Sequence, residues 1–241
     1  MPFRYFGGKK ALAAYYPAPL HKVIIEPFAG SAGYSLWHAT PDHQVILIEK
    51  DRRVVDLWHR LQAMAIEELL HIECPPRGSW CTDPLINLTQ ASENTMRSRR
   101  FHLSRVSGRM IEKWPGSRSY LATKLPLIRS WTVLHGSYES APDIAATWHI
   151  DPPYAPRRRE PAGSRGGGYG PGSTSRDINY GHLSRWAISR AGQVMVCEQD
   201  GATWLPFVPF RRSRTTSTAK KIISREVLWI KNSDAICDSV E

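Results

Sequence analysis

The sequence predicts an α/β protein built on a doubly wound, mostly parallel sheet that carries an inserted, mainly helical segment. Three observations lead there. Short β-branched runs alternate with amphipathic stretches, the rhythm of a parallel sheet with crossover helices. That rhythm stops near residue 61 and resumes near residue 131. The chain has 241 residues, which suits one large α/β domain carrying an insertion.

The elements follow in order. "HKVIIEPFAGSAGYSLWHAT" reads as strand, turn, helix: Val23, Ile24 and Ile25 are β-branched, and Glu26-Pro27 stops the strand. Gly30 and Gly33 permit a tight turn, and an apolar helix begins near Tyr34. "HQVILIEKD" is a second buried strand, residues 45–48, ending in Glu49. In residues 52–72, Val54, Leu57, Leu61, Met64 and Leu69 recur at helical spacing, so one long helix is expected. Residues 73–130 open with Pro75-Pro76 and Trp80 and turn polar and basic, and read as a mostly helical insertion. "WTVLHGSY" and "ATWHI" are the third and fourth strands. Residues 156–178, rich in Gly, Arg and Ser, cannot bury a core and are expected as a flexible loop. "HLSRWAISRAG" is helical, "QVMVCE" is a fifth strand, and the last strands form an antiparallel edge hairpin whose basic stretch "FRRSRTTSTAKK" is suited to phosphate contact. On this division residues 1–60 and 131–241 form the main domain and residues 61–130 the inserted segment.

Charge narrows the partners. There are 32 Lys and Arg against 22 Asp and Glu, a formal net charge of +10. Such a balance favours an anionic partner, nucleic acid before an anionic membrane surface. In the insertion, Arg97, Arg99, Arg100, Arg105 and Arg109 cluster with Phe101 and His102, a mixture of base and aromatic that suits a nucleic-acid face as well as a solvated helix. No apolar run approaches the roughly 20 residues that span a bilayer. Cys74, Cys81, Cys197 and Cys237 form no C-x-x-C pair, so reduced thiols and no metal site are expected.

Ligands of open α/β sheets bind outside the carboxyl ends of the strands. "EPFAGSAG" ends the first strand, and its glycines let backbone amides approach a ligand. Glu49 ends the second, where an acid can accept both hydroxyls of a ribose. Asp151-Pro152-Pro153-Tyr154 ends the fourth. An acid and a backbone carbonyl can accept both N–H bonds of an exocyclic amine. Proline offers no competing donor, and an aromatic ring can stack on a flat base.

The pieces "FRYFGGKKAL", "IIEPFAGSAGYSL", "ILIEKD" and "HIDPPY" occur in an order that resembles the Dam-like family of S-adenosylmethionine-dependent DNA adenine-N6 methyltransferases. The resemblance covers residues 1–60 and 131–232, with little match between. It implies a Rossmann-like methyltransferase fold whose inserted segment reads the DNA target. It also implies S-adenosylmethionine as cofactor, with Tyr5 and Lys9 at its methionine end, Glu26, Phe28, Gly30 and Gly33 on the first-strand loop, and Glu49 on the ribose. Asp151, Pro152, Pro153 and Tyr154 are then the catalytic motif, Asp151 also bordering the cofactor. Where the family commonly carries an acid near the cofactor adenine, this chain has Ser137, and Ala32 stands where glycine is frequent. The implied activity is methyl transfer to adenine N6 in flipped-out duplex DNA, with cytosine N4, an RNA base, or a catalytically weak DNA-binding homologue as alternatives. A cytoplasmic monomer with double-stranded DNA as partner, and neither membrane nor metal, completes the expectation.

Overall fold

The computed structural model describes residues 12–88, 103–155, 175–217 and 220–232. Tyr5, Lys9, Arg97, Arg99 and Arg100, and residues 156–174 of the expected loop, lie outside these.

β1 (Val23–Glu26), α1 (Gly33–His38), β2 (Gln44–Glu49) and α2 (Arg52–Ala63) follow one another as the alternating pattern requires. Asp51 caps α2 by accepting the Arg53 N–H. The apolar side chains at 54, 57, 58 and 61 are buried. The single long helix expected over residues 52–72 is instead two. Met64 and Ala65 are extended, and α3 (Ile66–His71) starts afresh. No glycine or proline marks the break. Tertiary contacts make it: the Met64 carbonyl accepts a bond from the Arg129 guanidinium at 2.9 Å, and the Met64 side chain is buried.

The middle of the chain contains α4 (Pro84–Leu88), α5 (Gly108–Ile128) and a small antiparallel ribbon, β3 (Trp80–Cys81) with β4 (Ser104–Arg105). Helices make up most of the described segment, and the short ribbon is an addition to the helical expectation. Helix α5 starts at a Ser107 cap and buries Met110, Trp114, Leu121, Leu125 and Ile128 in the same core as Val54, Leu57 and Leu61 of α2. The Trp114 indole and the Arg118 guanidinium both donate to the Ile72 carbonyl, at 2.7 and 2.8 Å. The helix therefore serves as a crossover helix of the main sheet.

β5 (Thr132–His135), β6 (Ala146–Ile150), α6 (Tyr180–Ser189), β7 (Gly192–Gln199), β8 (Val208–Ser217) and β9 (Lys220–Asn232) complete the chain. The seven-stranded sheet has the order β5-β2-β1-β6-β7-β9-β8. The first five strands of that order run parallel, and β9 lies antiparallel between β7 and β8. This is an α/β fold with a mostly parallel sheet. Its strands are apolar on both faces: Ile24, Val45, Leu47 and Met195 face α2 and α5, whereas Ile25, Trp148, Ile150 and Val196 face α6. The strand order reverses between β1 and β6, where such sheets open a crevice at their carboxyl ends. Among the described residues no helix is long and apolar enough to cross a membrane, and no group of three or more His, Cys, Asp or Glu side chains could hold a metal ion.

Candidate active site at the carboxyl ends of the parallel strands

Backbone hydrogen bonds tie the strand ends into a row. Ala29 N–H donates to the Ile48 carbonyl at 3.0 Å, and Gly136 N–H donates to the Glu49 carbonyl at 3.0 Å. The turn after β1 is therefore fastened to the end of β2, and the end of β2 to the end of β5. On the other side Ile25 pairs with Trp148, which sets Asp151 beside the same turn.

The turn itself is tight. Gly30 and Ala32 have φ of 47° and 46°, and the second is a left-handed conformation that costs a Cβ-bearing residue about 1–2 kcal/mol. Glu49 holds this turn. One of its oxygens accepts the Gly30 N–H at 2.9 Å and the other accepts the Asp51 N–H at 2.8 Å. The carboxylate is 6% exposed, and burial outweighs those two bonds to push its pKa up to about 7. The Lys50 N–H is a further donor to the same carboxylate, which has four lone pairs in all.

Glu26 faces inward. It is 2% exposed and accepts the Ser35 N–H at 2.8 Å. Its other oxygen lies 3.3 Å from His149 Nδ1, an ion-pair distance. His149 Nε2 in turn is 3.5 Å from the Cys197 sulfur. Glu26, His149 and Cys197 thus form a buried polar row across β1, β6 and β7. Burial opposes a charged imidazole, but Cys197 and Glu26 raise its pKa to about 10. The Tyr34 ring stacks on His149 at 4.8 Å and the Tyr16 ring meets it edge-on at 4.9 Å.

Pro152 and Pro153 are buried, and Asp151 and Tyr154 are half-buried. Tyr180 donates its hydroxyl to the Pro153 carbonyl at 2.6 Å. The Tyr154 hydroxyl donates to Glu226 Oε2 at 2.5 Å. Ala155 N–H donates to Glu198 Oε1 at 2.6 Å, so the chain leaving the motif is held to β7. Burial, with Asp151 and Glu226 nearby, raises the Tyr154 phenol well above its ordinary pKa.

At the other end of the row, Phe28 stacks on Tyr138 with ring centroids 5.4 Å apart. Ser137 caps the short 3-10 turn that follows and donates its hydroxyl to Glu139 Oε2 at 3.0 Å. A carboxylate therefore stands beside Ser137, two residues along the chain.

The structure brings Glu26, Phe28, Gly30, Gly33, Glu49, Ser137 and Asp151–Tyr154 to one end of the sheet. Arg105 and Arg109 are elsewhere. Arg105 lies over the Trp80 ring, 4.8 Å from its centroid, and donates to the Gly78 carbonyl at 2.8 Å. Arg109 is exposed in the first turn of α5. Sequence reasoning missed Glu139, Glu198, Glu226 and His149. His149 carried a usable signal, since it precedes Asp151 by two residues and shares its face of β6. The chain matches no family model and no curated protein.

Proposed function

We propose that this protein is an S-adenosylmethionine-dependent methyltransferase acting on an exocyclic amine of a nucleic-acid base, with adenine N6 in duplex DNA as the acceptor. The observation that carries the reading is the convergence of the β1 turn, Glu49 and Asp151-Pro152-Pro153-Tyr154 on the crevice where the strand order reverses. The reversed β9 beside an otherwise parallel sheet accords with the methyltransferase fold that the sequence resemblance implies.

The residues present fit such a cofactor. The left-handed turn at Gly30 leaves backbone free of a Cβ, Glu49 offers its remaining lone pair to the ribose hydroxyls, and the Phe28–Tyr138 pair offers a flat apolar wall for an adenine. Ser137 and Glu139 stand at that wall as acceptors for an adenine amine. When bound, the cofactor supplies a methyl group already activated by its sulfonium. The protein's own work is then alignment and electrostatics. Asp151 accepts one N–H of the acceptor amine and the Pro152 carbonyl the other, which frees the nitrogen lone pair from the ring. Tyr154 lies against the base and offsets part of the few kcal/mol lost on unstacking.

A second reading, a DNA-binding protein of this fold with weak catalysis, has one observation in its favour: both Glu49 oxygens already hold backbone amides.

The test is product analysis. Protein, S-adenosylmethionine and unmethylated duplex DNA are incubated, and the DNA is digested to nucleosides for mass spectrometry. N6-methyladenine is expected. N4-methylcytosine would move the acceptor. No methylated base from folded, DNA-binding protein would favour the second reading. Asp151→Ala is expected to abolish product, by at least about a hundredfold, while DNA binding and the circular dichroism spectrum stay unchanged. Retained turnover in that variant would remove Asp151 from the chemistry.

A further inference from the structure

Under the functional reading above, the Tyr154 ring is the surface on which a flat base lies. A ring serves that purpose best when its plane is set before the substrate arrives. The backbone around it is already held, by Tyr180 on the Pro153 carbonyl and by Glu198 on the Ala155 amide. The side chain has torsions of its own, and its far end is held at 2.5 Å by Glu226, 72 residues further along the chain.

Glu226 is brought there by strand pairing. β9 sets it opposite Gln199 of β7, at the carboxyl end of that strand. On the outer side, β8 carries a register irregularity between Pro209 and Arg211, opposite Val227 and Glu226. Bulges of this kind re-aim side chains next to functional sites. Phe210 sits within it and stacks on Tyr16 at 5.0 Å and 10°. The terminal hairpin thus contributes a carboxylate, and an aromatic side chain packed on Tyr16, to a site otherwise built by the parallel strands.

We infer that Glu226 is a positioning residue: its carboxylate anchors the Tyr154 hydroxyl and thereby fixes the plane of the ring against which the substrate's base stacks. The inference rests on the reading of Tyr154 as the stacking surface. The bond has the length of a hydroxyl bound to a carboxylate, which is about twice as strong as a neutral pair.

Two measurements on the full chain test it. Proton nuclear magnetic resonance of the wild type is expected to show a downfield hydroxyl resonance that is lost in both Tyr154→Phe and Glu226→Ala. In Glu226→Gln, which keeps shape and an acceptor oxygen, the resonance moves upfield as the acceptor becomes neutral. Kinetics on duplex DNA are expected to show kcat/KM falling about ten- to a hundredfold in Tyr154→Phe and in Glu226→Ala. The double variant is no worse than either single one, and Glu226→Gln retains most of the activity. A resonance unmoved in Glu226→Gln, or double-variant losses equal to the product of the single ones, overturns the assignment. A wild type that methylates no base removes the methyltransferase reading instead, and the resonance then judges the anchor by itself.

Discussion

At the scale of residues, the site buries several titratable groups, and the pKa directions of two of them make a joint expectation. His149 binds its proton more tightly folded than unfolded, from an ordinary value of 6.5 to about 10. The stability this contributes is complete below pH 6.5 and is lost as pH rises through about 10. Glu49 is also raised, from 4.5 to about 7, because burial disfavours its charge. A raised acid likewise favours the folded state at low pH, and that contribution is lost between pH 4.5 and about 7. Both groups therefore make the fold weaken as pH climbs, by up to about 1.4 kcal/mol per pH unit for each proton within its window. Urea unfolding at pH 5, 7 and 9 is expected to show this. His149→Gln should flatten the upper window and Glu49→Gln the lower one. Wild-type and His149→Gln curves that run parallel from pH 7 to 9 would mean that the imidazole is not held charged. Under the proposed function Glu49 also bears on binding: a carboxylate that accepts ribose hydroxyls acts best when ionised, so S-adenosylmethionine affinity measured by calorimetry should rise as pH passes 7.

At the scale of elements, the junction of β6 and β7 shows how closely the sheet is fitted. Gly192 opens β7 with φ of 97°, and a Cβ there would lie 2.3 Å from the Ala146 carbonyl oxygen, a backbone atom that cannot turn aside. Gly192→Ala is expected to destabilise the fold by more than about 1 kcal/mol, read as a lower unfolding midpoint. An unchanged midpoint would mean that the strand start relaxes freely. The same elements show what a sequence discloses. β1, β2, β6 and β7 were legible because each is a short apolar run closed by a turn residue, and Asp151-Pro152-Pro153-Tyr154 because it stands at a strand end. The break at Met64 was not legible, since a guanidinium 65 residues away makes it. The ribbon of Trp80–Cys81 with Ser104–Arg105 was hidden for the same reason, as its two short strands are far apart in the chain. Glu198 and Glu226 escaped notice because an acid in a strand looks solvated until the pairing of β7 with β9 brings it under Tyr154.

At the scale of the whole molecule, the proposed function pairs a net charge of +10 with a polyanion, and Arg105 and Arg109, the described members of the arginine cluster singled out in the sequence, allow that proposal to be tested. Neutralising DNA phosphates releases counterions, so affinity falls with salt at a slope near −0.9 per phosphate contact. Arg109 is exposed at the start of α5, one turn from Glu112, whose carboxyl it helps to hold low. Arg109→Ala is expected to reduce the salt slope by about 1 and leave the unfolding midpoint in place. Arg105 carries a double role. Its guanidinium covers Trp80, itself 57% exposed, and bonds the Gly78 carbonyl, so it closes the ribbon as well as adding charge. Arg105→Ala should reduce the slope by a similar amount and also lower the midpoint slightly, by about 0.5–1 kcal/mol for the lost cation–π contact. Fluorescence anisotropy with labelled duplex DNA from 50 to about 200 mM salt measures both slopes. If neither variant changes its slope, these arginines do not meet phosphate. On the proposed function, the positive charge that meets DNA then lies on another surface of the molecule, and the inserted segment owes its place to helix α5 and the core it completes.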